Sequence, residues 1–563
     1  MRPVTESAVQ SPKSPKSPES EKSKRYDRQL RLWGDSGQQA LESSHVCLVN
    51  ANALGTEILK SLVLPGIRAF TIIDNNIVTE EDVGNNFFLL TEDSIGKNRG
   101  KVTTELLAQM NNDLKKGDYL DESLESVLES NANFFSNYSL VIACDINNEK
   151  SLNRLSQVLW QTNVPLIVCK SIGFIGYIRL QILEHTIIES HPDNTFEDLR
   201  LDEPFDQLKQ YLDSYESFEQ MSRKDLSHTP FLVILYKYLI KWRQDYNRDP
   251  KDLPKNFKEK NELKAIIRNA MDSLRDAIRS KSGDEDMKDL DLENFEESIK
   301  AINTVFVVSD YIPLEVKSLI NDTKVLSDET NDSSFWALIK GLKQFIAKNN
   351  CLPLRGTLPD MTSDSFKYIT LQQIYRAKAK EDAENVYNII QMLPKAHNLN
   401  LTENDVQLFC KNTQFLRVVG TSDIESELNG KALKQIVNTI GIADEDTEDD
   451  ALRYYLLMRL VDKFYSIHNR FPGDRNDEVE SDIAILRQYL KDLSNDLGTN
   501  SLIKDDLIHE ICRYGGSQLH TVSAFIAGCA AQEVIKILTS QYVPIDNTFV
   551  YNGMTCVTKT YKL

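Results

Sequence analysis

Between residues 46 and 74 the residue types follow the order of a phosphate-binding turn: the apolar run VCLV, a turn, a helix-forming stretch, and a second apolar run ending on Asp74. In a working GxGxxG turn the first glycine makes the bend, the second lets the backbone approach the phosphates, and the third lets helix pack on strand. Those three places hold Asn50, Asn52 and Gly55. Gly55 keeps the packing role, and asparagine at Asn50 visits positive φ more easily than most residues. The Asn52 carboxamide, however, stands where a phosphate would lie. The reading that weighs most is a strand-to-helix turn in a Rossmann-like sheet with no ligand. Asp74 lies 24 residues after Asn50, the separation at which a Rossmann acid holds a ribose hydroxyl.

Thiol chemistry is the other candidate, and the spacing speaks against it. Eight cysteines are scattered with no CxxC pair, which makes a zinc site of the usual spacing unexpected. Cys47, Cys144 and Cys529 fall in apolar runs, where a thiol is a small core residue. Cys351 in NNCLPLRG and Cys410 in LFCKN have no histidine or basic cluster nearby in sequence to form a reactive thiolate.

The elements that must position these residues alternate in type. Apolar strands are expected at 46–49, 69–73, 140–143, 166–169 and 178–183, with a helix beyond Gly55. After residue 192 the pattern turns helical. Thr229-Pro230 reads as an N-cap with proline at the first helical position. Leu263, Ile267, Met271, Leu274 and Ile278 repeat at helical spacing, as do Phe295, Ile299 and Ile302, and Trp336, Ile339 and Phe345 mark another helix. Near Lys504 the sheet-and-helix pattern returns. Residues 521–539 form an alanine-rich helix whose Ala527, Gly528, Ala530 and Ala531 permit close packing, and strands at 548–551 and 557–561 close the domain. Residues 1–24 carry Ser-Pro steps at Ser11, Ser14 and Ser17 and read as a disordered tail.

The 563 residues suffice for three or four domain-equivalents, and 41% hydrophobic with 26% charged residues is ordinary globular composition. No apolar run is read as reaching the ~18 residues of a membrane span, and residues 1–25 hold no secretory signal. A net charge of −19 argues against a phosphate-backbone ligand.

The runs YDRQLRLWG, ALGTEILKSL, IID, VGNNFFLL, SIGKNRG, ESHPDN with EDLRLDEPF, and AFIAGCAAQEVIKILT together resemble the regulatory subunits of the heterodimeric neddylation-activating enzymes, relatives of the ubiquitin-activating enzymes. The resemblance spans residues 25–563. It implies an α/β fold, a ThiF-type doubly wound Rossmann-like domain in two parts, 25–192 and 481–563, split by a mainly α-helical insertion at 193–480 that lacks the catalytic cysteine. It implies that Arg28, in a short helix with Tyr26, Leu30 and Trp33, reaches across the heterodimer to ATP held by the partner, like the trans arginine of a GTPase-activating protein.

In the active halves of the family a second acid follows the ribose acid, where this chain has Asn76, and an arginine stands where it has Asn85. Lys97 matches a family lysine and Asp145 a magnesium-contacting acid. With Asp74 they are remnants of a site that should hold no cofactor in this chain, MgATP belonging to the partner. The partners implied are the catalytic subunit, the ubiquitin-like modifier and the conjugating enzyme, with no nucleic acid and no membrane, in cytoplasm and nucleus. Residues 358–373 match a region that contacts the catalytic subunit, and the interface expected is His228, Asp360, Met361, Tyr368, Ile369, Leu371 and Gln372. Alternatives are a small subunit of a sumoylation-type activating enzyme, which the length disfavours, a stand-alone dinucleotide-dependent oxidoreductase, which Asn50 and Asn52 disfavour, and a plain scaffold.

Overall fold

A computed structural model describes residues 21–89, 92–192, 197–282, 291–326, 333–394, 399, 401–427, 436, 451–475, 477–497 and 503–563. The Ser-Pro steps therefore lie outside the described residues. The chain divides into two compact units, residues 1–185 with 419–563, and residues 186–418.

The first unit opens with helix α1 (Glu21–Ser43), broken at Gly34, whose φ of 66° and ψ of −175° no helix interior adopts. There follow β1 (His45–Val49), α2 (Ala53–Val63), β2 (Ala69–Ile73), α3 (Arg99–Ala108), β3 (Lys116–Leu120), β4 (Leu140–Cys144), α4 (Glu149–Gln161), β5 (Leu166–Ile172) and β6 (Ile175–Gln181). After the second unit the chain supplies α5 (Ala451–His468), α6 (His520–Thr539), β7 (Thr548–Asn552) and β8 (Val557–Tyr561). The eight strands lie in the order β8-β7-β6-β5-β4-β1-β2-β3. Strands β3, β2, β1, β4 and β5 run parallel, and β6, β7 and β8 extend the sheet antiparallel.

Successive residues of β1 sort to opposite faces. Val46 and Leu48 join one core, with Leu54, Ile58 and Leu62 of α2 and Ile526, Ala530 and Val534 of α6. Cys47 and Val49 join the other, with Leu152 and Leu155 of α4 and Tyr455 and Leu456 of α5. Burial on both faces is why the strands read as continuous apolar runs rather than alternating ones. The doubly wound sheet is thus present.

Packing moves both boundaries, the first from residue 192 to 185. The return from the helical unit falls at residue 419 instead of 481, because α5 is built into the sheet's core: the Tyr455 ring meets Tyr177 of β6 edge-on at 4.9 Å. Two further readings change. The helix α6 is long and apolar enough to cross a membrane by length and composition, contrary to expectation. Its buried side chains lie against α2 and the sheet, the place of a core helix. Of its small residues Ala527, Ala530 and Ala531 are buried, whereas a Cβ on Gly528 would meet nothing within 4 Å.

The second unit is helical. Leu263, Ile267, Met271, Leu274, Phe295, Ile299 and Ile302 bury together around the helix Phe231–Asp245, and Trp336, Ile339 and Phe345 form a separate cluster. The Thr229 hydroxyl turns back to donate to the Asp225 carbonyl at 2.7 Å, leaving Pro230 as the N-cap.

Candidate functional site

The turn after β1 forms as its residue types dictate. Asn50 takes φ 74°, the left-handed conformation a glycine would otherwise supply. Gly55 is required where it stands, since a Cβ there would lie 2.5 Å from the Asn50 carbonyl oxygen. Asn52 caps α2: its side-chain oxygen accepts from the Gly55 N–H at 3.0 Å.

The backbone amides that would cradle a phosphate are already committed. Gly55 N–H serves Asn52, Ala51 N–H donates to Asp74 Oδ2 at 2.9 Å, and Asn50 N–H donates to the Ile73 carbonyl at 3.0 Å. Asn52 Nδ2 donates to Asp145 Oδ2 at 2.5 Å, and Gln518 reaches the same oxygen at 2.8 Å. Asp145 Oδ1 accepts from Ser171 N–H at 2.9 Å. Burial pushes the Asp145 carboxyl up, against the Ser171 amide and Lys170, which favour its charge. It is tied to protein donors on both oxygens.

One residue that sequence reasoning missed completes this arrangement. Arg99, at the start of α3 and 8% exposed, donates from Nε to Asp74 Oδ2 at 2.8 Å, from Nη1 to Asp82 at 2.9 Å, and from Nη2 to Asn50 Oδ1 at 2.6 Å. The expected ribose acid is thereby held by an internal guanidinium. Burial works against the Arg99 charge, but Asp74 and then Asp82 outweigh it and raise its pKa. Lys97, two residues earlier and expected as the remnant, is exposed and does not line the cleft. The only sequence signal for Arg99 was a cation in the same SIGKNRG run. Asn76 turns back on Asp74 through both its amide and its side chain, at 2.9 and 2.8 Å.

What remains is a shallow cleft of about 230 Å³ lined by Asp74, Glu122, Glu125 and Asp145 and by no cation. That is smaller than the ~300–1,000 Å³ of usual small-molecule sites. A phosphate charge ~6 Å from Glu122 or Glu125, the two exposed carboxylates of the lining, would meet repulsion of about 3 kcal/mol at an effective dielectric of 20. The residues present do not fit MgATP. Among the described residues no group of three or more His, Cys, Asp or Glu is placed to hold a metal ion.

Arg28 is placed differently. Its helix is pinned on either side, by Tyr26, which donates to Asp113 at 3.0 Å, and by Trp33, which donates to Gln38 at 3.1 Å and whose carbonyl accepts from Gln541 at 2.9 Å. Tyr26 is 2% exposed, while Arg28 faces solvent and has no ion pair among the described residues. Neighbouring Arg31 is paired with Asp27 at 2.9 Å.

The interface residues expected in the helical unit come together in part. The Asp364 amide lies 3.4 Å from the His228 carbonyl, and Tyr368 donates to Asp360 at 3.3 Å. His228 and Asp360 are exposed, Met361, Tyr368 and Gln372 half-buried, and Ile369 is 49% exposed beside Phe366 at 78%. Leu371 departs from the expectation: it is fully buried in its own unit's core and offers no partner surface. Cys410 is buried, and burial pushes its thiol pKa up. Cys351 has a basic neighbour in space, Arg200, but that guanidinium is held by Asp198 at 2.9 Å.

Comparison with known proteins places this geometry. The model of the ThiF family matches residues 26–562. A chicken (Gallus gallus) protein described as NEDD8-activating enzyme E1 regulatory subunit is 44% identical, covering 96% of this chain and 98% of its own length. The Drosophila melanogaster protein of that description is also 44% identical, over 96% and 97%. An Arabidopsis thaliana protein, NEDD8-activating enzyme E1 regulatory subunit AXR1, is 36% identical over 96% of each chain. A ThiF-type sheet whose nucleotide turn is closed by its own side chains, matched end to end by such relatives, leaves one assignment: the chain belongs to the ThiF family, among the regulatory subunits of NEDD8-activating enzymes.

Proposed function

We propose that this chain is the non-catalytic half of a heterodimeric activating enzyme. The catalytic subunit binds MgATP, adenylates the C-terminus of a ubiquitin-like modifier, takes it as a thioester and passes it to a conjugating enzyme. This chain contributes Arg28 in trans and part of the surface on which partner and modifier are held. The observation that carries the reading is the closure of its own cleft by Arg99, Asp74, Asn50 and Asn52. A site whose amides are spent and whose walls are acidic has no means of holding a triphosphate.

Support for Arg28 is its exposure on a pinned helix. A planar guanidinium delivered from a neighbour to developing phosphate charge contributes roughly 10³ to 10⁵ in rate in other trans-arginine systems. Support for a partner surface in the helical unit is the exposed apolar pair Phe366 and Ile369 beside Tyr368 and Asp360.

The test is ATP–pyrophosphate exchange by the reconstituted heterodimer. Arg28→Ala should lower exchange at least tenfold while leaving co-purification of the two chains intact. Unchanged exchange would hand the case to a plain scaffold role, and lost co-purification would assign Arg28 to assembly instead.

A further inference from the structure

The helical unit contains a cleft larger than the nucleotide remnant, about 510 Å³, and of opposite charge. Its walls are the extended segment 354–358, one stripe of the helix Ser365–Gln391 and one stripe of the helix Glu403–Lys411. Among its lining residues are four cations, Arg355, Arg376, Lys380 and Lys411, and no carboxylate. In a chain of net charge −19 such a concentration is not what a random solvated face presents.

Two wall residues are also short of partners. Arg355 Nε and Thr357 Oγ1 are buried polar atoms with no hydrogen bond, and such groups in a native fold call for an explanation. Inside the chain the cations are loosely engaged: the Arg355 guanidinium lies over the Phe415 ring, 5.2 Å from its centroid. Arg355 Nη1 reaches Glu197 only at 4.0 Å, the long limit of an ion pair. Lys380 meets Glu384 at 3.6 Å with both side chains over half exposed, a pair worth little. Arg376 and Lys411 have no ion pair among the described residues.

We propose that this cleft binds a small polyanion of the pyrophosphate class. Four cations lining one cleft ask for more than one negative charge, which a single carboxylate does not supply. Two guanidinium groups suit oxyanions, which they can engage through paired N–H donors. The cleft owes nothing to the nucleotide-type sheet, so the inference stands or falls apart from the function proposed above.

The test is calorimetric titration of inorganic pyrophosphate into the full chain at low salt. Saturable binding at millimolar concentration or below is expected. Arg376→Gln, exposed and so harmless to folding, should weaken it at least tenfold, and Lys300→Gln, exposed on another helix, should not. Absence of saturable heat would overturn the proposal. So would equal weakening by Arg376→Gln and Lys300→Gln, which would mean diffuse charge attraction. Saturation by citrate but not pyrophosphate would overturn the phosphoryl class.

Discussion

Arg99→Ala should destabilise the α/β unit by about 3 kcal/mol, the low end of what removing one partner of a buried ion pair costs. The magnitude follows from what Asp74 keeps. Its side chain is 0% exposed, so deleting the guanidinium strands a charge that water cannot reach. It retains the Ala51 amide at 2.9 Å and the Asn76 amide and carboxamide at 2.9 and 2.8 Å, which hold the loss below the ~5 kcal/mol upper end. Asp82 is 15% exposed and adds less. In a unit of this size the expected fall in melting temperature is about 5 °C. The assay is thermal and urea unfolding of the full chain, with Asp74→Asn and the double variant completing a cycle. The cycle should give coupling of about 2 kcal/mol. Arg31→Ala, which breaks an exposed pair with Asp27, is the control and should change stability by less than ~0.5 kcal/mol. A loss from Arg99→Ala no larger than that of the control, or no coupling to Asp74, would refute the claim that the cleft is held shut by this pair.

Gly55→Ala should destabilise by about 2 kcal/mol or more, since its Cβ would lie 2.5 Å from a backbone oxygen and α2 must lift from the sheet; an unchanged melting temperature would contradict the packing. Burial pushes the His185 imidazole down to about 4, and its Nε2 is buried with no partner. Below pH ~6.5 the unfolded chain takes up a proton that the folded chain refuses, so stability falls as pH falls from ~6.5 towards 4, by up to roughly 3 kcal/mol. His185→Gln should flatten that slope in unfolding curves taken across the range; an unaltered slope would show that other groups carry it.

The sheet was legible wherever burial on both faces wrote an apolar run, as in 46–49, 69–73 and 140–143. The edge strand Lys116–Leu120 was not, because KGDYL is only half-covered and carries no such run. The turn's departure from a glycine loop was readable from Asn50, Asn52 and Gly55, since each glycine's role is a backbone requirement that a side chain either meets or blocks. Arg99 was not readable, because the contacts that define it join residues 17 to 49 positions apart and spacing says nothing of them. The same limit misplaced Leu371 and the helices after residue 451: periodicity announces that a helix has an apolar face, not which core receives it.

The most direct measurement is titration of MgATP into the purified chain alone, followed by the same titration after reconstitution with its catalytic subunit. No saturable binding is expected from the isolated chain, and binding should appear only in the complex. A triphosphate seated by this chain without a partner, against residues 50–55, would contradict the account at its root.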